Sequence, residues 1–302
     1  VLVDFQNIRE VSDDVLRVKG DDWKLILDFP FDEAGRSPAD DLARLELFRE
    51  KGESSRVFCW VPRFFSREAQ ADLGRLVILD HLLSGDRLRQ HTPDLSDVDR
   101  AATRSEMDNL QSQLTSRLRN DLELAYGLRT EAGSRRIDGT HELDQLLVSL
   151  DASFSPRTPV AANLAEGLTR VIEQLLGHLF PGHPVFEAEL KPALVRKVAE
   201  EVRRAAEAVD GRIDVEKPLR DPLRKVAMPL DLGTMHESAF ILDRRWANHF
   251  ERKIAEQPGE LSVARLRKWI DEPKVKGLPK DLQDVILLVF ADQSQRTFFL
   301  GN

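Results

Sequence analysis

Between Ser96 and Tyr126 the residues Met107, Leu110, Leu114, Leu118 and Leu122 recur at helical spacing. They fall on one face of a single α-helix that reaches roughly 40 Å at about 1.5 Å per residue. Ser96 supplies an N-cap, and Tyr126-Gly127 ends the pattern. One apolar stripe on an otherwise polar rod needs a partner to cover it. The spacing therefore predicts a helical hairpin or coiled-coil arm.

Residues 1–93 read differently. Val1-Leu2-Val3 reads as a short strand, the apolar run Lys24-Leu25-Ile26-Leu27-Asp28-Phe29 suits a buried strand, and Arg56-Val57-Phe58-Cys59-Trp60-Val61 is a second strand. Ser37-Pro38, with Asp40 and Asp41 behind it, opens a helix through Leu42, Leu45 and Phe48 that stops near Gly52. Ser66 caps a second helix, through Leu73, Leu76, Val77 and Leu83. This order predicts parallel strands joined by helical crossovers, a small α/β unit.

Past Pro93 strand signals nearly vanish. An Arg-, Gly- and Ser-rich stretch, Arg129 to Gly139, is expected to be exposed and mobile. Helices are predicted near Val160–Phe180, Val185–Val209, Leu219–Val226 and Leu242–Ile254, separated by proline breaks such as Pro181, Pro184 and Pro229. At the end, Ser262 caps a short helix over 263–271, Gly277-Leu278-Pro279 turns, Lys280–Ala291 is helical, and Arg296–Leu300 reads as a strand. That is the order of a winged helix. The expected fold class is mostly α: a small α/β unit at 1–93, a helical domain with the long helix at 94–257, and a winged-helix-like C-terminal module at 258–302.

The 302 residues carry 44 basic and 52 acidic side chains, a net charge of −8, which disfavours a domain built to coat nucleic-acid phosphates. One cysteine, Cys59, rules out an internal disulfide framework and suits a reducing cytoplasm. No apolar run approaches the roughly 20 residues of a membrane span. The absence of an initiator Met and the apolar ending suggest a piece of a longer protein.

Chemistry-bearing residues are sparse. No G-x-x-x-x-G-K-[ST] loop occurs, so the acid-tipped strand ending at Asp28 has no phosphate cradle beside it. Asp28, with Asp32 and Glu33, is the one weak candidate for a nucleotide or metal contact. The competing reading is local: Asp28 ends a strand, Asp32 and Glu33 sit in the turn, and Asp40 and Asp41 face the next helix dipole. His141-Glu142 lacks the second histidine of H-E-x-x-H, and Cys59 lies mid-strand as a buried thiol. The basic pairs Arg203-Arg204 and Arg244-Arg245 read as solvated helix faces with acidic partners. In the C-terminal module Arg265, Arg267, Lys268 and Lys280 are the candidates for a partner or nucleic acid. Asp281 and Asp284 on the last helix favour a protein-facing role over groove reading.

Several stretches together carry a family likeness. They are Leu25-Ile26-Leu27-Asp28-Phe29-Pro30-Phe31-Asp32-Glu33, Pro38-Ala39-Asp40-Asp41, Cys59-Trp60-Val61-Pro62-Arg63-Phe64-Phe65-Ser66, the segment Asp72 to Leu83, and the Leu266–Ala291 tail. The chain resembles the large ATPase component of bacterial phage-exclusion systems, the PglY/BrxC type of the phage growth limitation and BREX systems. That type resembles AAA-like ATPases with an N-terminal P-loop, which is missing here. The resemblance therefore implies an internal region downstream of the ATP site, with no catalytic residue to carry over. ATP and magnesium are expected for the parent protein and no cofactor for this region.

The resemblance further implies a non-catalytic coupling or interaction region, cytoplasmic, with other phage-defence proteins as partners. DNA contact and oligomerisation stay open. Two alternatives are a degenerate metal-dependent phosphohydrolase built on Asp28, Asp32 and Glu33, and a nucleic-acid-binding winged-helix module.

Overall fold

A computed structural model describes every residue except 19, 21, 53, 131–133, 139–145, 188 and 300–302. The chain divides into two units, Val1–Leu175 and Leu176–Asn302.

In the first unit the apolar runs become strands β1 (Leu2–Phe5), β2 (Lys24–Leu27) and β3 (Val57–Trp60). They pair in parallel, in the order β1-β2-β3. Helix α1 (Pro38–Glu50) makes the crossover from β2 to β3, and the amide of Ser37 donates to the Asp40 carboxylate at 2.9 Å to cap it. A fourth strand, β4 (Leu147–Ser149), joins β3 antiparallel. Ile26, Cys59 and Val57 pack with Leu45 and Phe48 of α1 in one core, where Cys59 is fully buried.

Between β3 and β4 the chain makes the predicted arm. Helix α2 (Arg67–Leu83), capped by Ser66, leads through the short α3 (Arg87–His91) into α4 (Asp97–Ala125), capped by Ser96. Arg117 reaches Asp72 at 3.1 Å, Gln111 reaches Asp80 at 3.3 Å, and Arg104 donates to the Leu83 carbonyl at 3.0 Å. Partners descend along α4 as they rise along α2, so the pair is an antiparallel hairpin. Its stripe is narrower than the spacing predicts: Leu114 and Leu118 are buried, whereas Leu110 is 44% exposed.

The loop expected to be mobile is anchored at its described end. Ile137 bridges Phe65, the Ser66 amide donates to the Arg136 carbonyl, and the Asp138 amide to that of Phe64. Residues 131–133 and 139 of that loop, and the pair His141-Glu142, lie outside the described residues. Helix α5 (Leu164–Leu179) follows, its Glu166 amide taken by the Asn163 side chain, and the division into units falls within it.

The second unit holds α6 (Pro192–Glu207), β5 (Arg212–Asp214), α7 (Lys217–Val226), β6 (Gly233–Met235), β7 (Ala239–Leu242), α8 (Arg245–Glu256), α9 (Val263–Ile270) and α10 (Lys280–Gln293). Val195, Val198, Val202 and Ala205 form the buried stripe of α6, in one core with Ile286, Val289 and Phe290 of α10. The three strands form an antiparallel sheet in the order β5-β7-β6.

Three expectations are corrected. Strands do occur past Pro93, and Leu242, expected to begin a helix, ends β7. These strands are three or four residues long, too short for alternation to show, and pairing rather than propensity holds them. At the end of the chain residues 296–299 form no strand, and Leu300 lies outside the described residues, so the predicted wing is not formed there. Arg296 instead sets its guanidinium 5.7 Å over the Phe290 ring, at the close of α10.

Candidate functional site

Ligands of open α/β sheets bind beyond the carboxyl ends of parallel strands, and Asp28 stands at that end of β2. Its side chain is 2% exposed. Oδ1 accepts from the Phe29 amide at 2.8 Å and the Ile8 amide at 3.3 Å, and the main-chain carbonyl accepts from the Tyr126 hydroxyl. Asp32 is gripped by Arg9 through Nε at 3.0 Å and Nη2 at 3.1 Å, and accepts from the Glu33 amide at 2.7 Å. Glu33 is exposed, with Arg9 at 3.9 Å.

A second buried acid joins them. Asp41 is also 2% exposed, in the first turn of α1. Asp40 caps the helix, but Asp41 is buried rather than set out against the dipole. Leu45 and Phe48 lie four and seven residues on, both fully buried, so Asp41 belongs to the inward face. That spacing was the available signal.

Burial pushes Asp28 up to about 8, and the nearby Asp41 charge adds to it. Asp41 rises to about 7, through burial and then the charges of Asp32 and Asp40, against the opposing pull of Arg9. Asp28 Oδ2 and Asp41 Oδ1 are buried with no hydrogen-bond partner among the described residues. At neutral pH the Asp28 carboxyl keeps its proton, which weakens it as a ligand for a hard cation. Among the described residues no three His, Cys, Asp or Glu side chains form a group able to hold a metal. The chemistry available here is proton retention and the fastening of the chain at Ile8 and Arg9 to the end of β2 and the turn after it.

The arm carries a denser charge cluster at its base. Asp72 of α2 and Asp121 of α4 are buried, and Arg136 reaches both, at 2.9 and 2.6 Å, along with Glu68 at 3.0 Å. Arg75 and Arg117 complete the shell of Asp72 at 3.2 and 3.1 Å. Sequence reasoning missed Arg136, because nothing local marks its distant partners.

In the second unit, Arg265 donates to the carbonyls of Gln257 and Glu260 and lies 4.9 Å over the Trp269 ring. Arg267 pairs with Asp284 at 2.6 Å. Lys268 on α9 and Lys280 on α10 are exposed. The structure thus turns two of these four cations onto the protein itself.

Residues 1–180, which take in the sheet, the arm and all of α5, match the family model of the PglY fourth domain. The chain belongs to the PglY family. Residues 193–291 match a second model, the BREX System ATPase PglY protein 5th domain. This PglY-family chain is accordingly part of a BREX phage-defence system, as the quoted stretches imply. No solved structure matches it. Among the described residues no helix is long and apolar enough to cross a membrane.

Proposed function

We propose that this region of the PglY-family protein is a coupling and interaction module that links ATP-driven change elsewhere in the protein to partner defence proteins or DNA. It works in the cytoplasm and carries out no chemistry of its own; ATP and magnesium act in the parent protein. The observation that carries the reading is the α2/α4 hairpin, two antiparallel helices clamped at their base by Arg136 and tied to β2 through Tyr126. Such a lever passes a displacement at the sheet to its tip with little loss, since packed helices yield far less than loops. The acids at the end of β2 support it, because Asp28 Oδ1 serves two backbone amides and Asp32 serves Arg9.

The test is a kink in the lever. In the full-length PglY-family protein, Gln113→Pro on the exposed side of α4 removes one helical hydrogen bond and bends the rod, at about 3 kcal/mol. ATP hydrolysis should persist while protection against phage is lost. Full protection, or ATP turnover by the 302-residue chain alone, would rule the reading out.

A further inference from the structure

One face of α8 opens on a cavity of about 370 Å³ whose lining includes Arg245, Asn248, His249, Arg252 and, from the segment before α10, Lys276. Arg245, Asn248/His249 and Arg252 recur at one-turn intervals, so a single helix face presents them. The floor is Trp246, whose indole nitrogen donates to the Leu230 carbonyl at 2.7 Å and whose ring stacks on Phe250.

The protonation pattern is fixed by the backbone. His249 Nε2 lies 2.8 Å from the Trp269 carbonyl, which can only accept, so Nε2 carries the hydrogen. Burial lowers the His249 pKa, and the ring is neutral at pH 7. Its Nδ1 lone pair then accepts from Arg252 Nη2 at 3.3 Å and orients that guanidinium.

Two acids, Asp231 and Glu272, line the same pocket, and both have their own partners. Asp231 pairs with Arg245 at 2.7 Å, and Glu272 with Lys253 at 2.6 Å. Asp271 Oδ1 accepts from the amides of Lys276 and Gly277. Beyond its contact with His249, the one carboxylate that Arg252 meets among the described residues is Glu256, at 3.8 Å. Lys276 has no carboxylate within ion-pair distance among the described residues; its ammonium donates to the Ile270 carbonyl at 2.7 Å and sits 5.3 Å from the Trp246 ring centre. Two cations from different elements therefore line one pocket without full compensation, in a chain whose net charge is −8.

We propose that this pocket binds a small phosphoanion, a pyrophosphate-like group held between Arg252 and Lys276 with Asn248 as a further donor. A doubly charged oxyanion matches two cations and several N–H donors better than a single carboxylate does. The volume is that of a small-ligand site. Phe250 and Lys276 occupy the faces of Trp246 that a nucleobase would stack on, and the exposed Glu251 and Glu256 interrupt any track for a polynucleotide. This site stands apart from the coupling role of the arm.

Titration calorimetry of the 302-residue chain with sodium pyrophosphate, at constant ionic strength, tests it. One saturable site is expected. Lys276→Met and Arg252→Gln should each weaken binding by about tenfold or more, the loss of one charge-assisted contact. Lys268→Met, exposed on α9 and outside the pocket, should bind like the parent chain. Absence of saturable binding, or parent-like affinity in both pocket variants, overturns the proposal. Should Lys276→Met fail to fold, judged by circular dichroism, Arg252→Gln decides alone.

Discussion

The hydroxyl of Tyr126, at the end of α4, donates to the main-chain carbonyl of Asp28, at the end of β2. The single tyrosine of the chain thereby fastens the arm to the sheet. Its ring meets Trp60 edge-on with centroids 5.3 Å apart, and the Trp60 indole donates to the Tyr126 carbonyl at 3.1 Å. In Tyr126→Phe the ring packing survives, but the Asp28 carbonyl loses its donor. A loss of about 1–3 kcal/mol in a urea melt is expected, and an unchanged midpoint would show that the bond does not fasten the arm.

The acids at the end of β2 set a pH dependence. The folded chain holds the Asp28 proton up to about pH 8 and the Asp41 proton up to about 7. Unfolded, both release near pH 4, so between those limits the folded state binds more protons. Stability therefore falls as pH rises from about 4 towards 7 and 8, by up to about 1.4 kcal/mol per pH unit for each group. Asp28→Asn keeps acceptors for the Ile8 and Phe29 amides and removes one of the two slopes. Its melting temperature should exceed that of the parent at pH 8 and vary less with pH; parallel profiles would refute this.

Below about pH 4 the sign reverses. Against the opposing effect of burial, Arg136 and Arg117 hold Asp72 below the usual carboxylate range, and Arg9 does the same for Asp32. Arg136→Ala leaves Asp72 and Asp121 buried short of a cation and should cost on the order of 3–5 kcal/mol. Arg75, whose side chain is 68% exposed, meets the same Asp72, yet Arg75→Ala should cost less than about 1 kcal/mol. Chemical melts of the two variants side by side read the contrast directly.

A fourth prediction concerns the turn before α10. Gly277 has φ +58°, and an added Cβ would sit 2.3 Å from a ring carbon of Phe180. Gly277→Ala combines a strained backbone with a clash, so a loss of about 2 kcal/mol or more is expected, read by calorimetry of the second unit's transition.

The legible parts of this fold share one property: their signal is local and repeated. The runs Leu25–Leu27 and Val57–Trp60 announce buried strands, and the capping serines Ser37, Ser66, Ser96 and Ser262 each stand one residue before a helix. Strands such as Arg212-Ile213-Asp214 and Gly233-Thr234-Met235 are different. They hold one or two apolar residues each, and only their pairing with β7 makes them strands. The same holds at the candidate sites. Asp28 was visible as an acid ending an apolar run, but burial holds its proton, and the charge that adds to it belongs to Asp41, which a first-turn rule assigns to solvent. Arg136 gains its meaning from acids on two helices that sequence distance separates from it. The α8 pocket depends on Lys276, delivered from beyond α9.

The arm leaves the sheet at Phe65 and returns at Ile137, and those two residues are bridged neighbours. Such a junction makes the hairpin a graft on a nearly closed scaffold. Its reach can grow or shrink by matched turns on both helices, beyond the Asp72–Arg117 level, while every strand stays in place. A protein that must span different gaps to its neighbours could therefore be retuned by changing a length, with no redesign of the platform beneath.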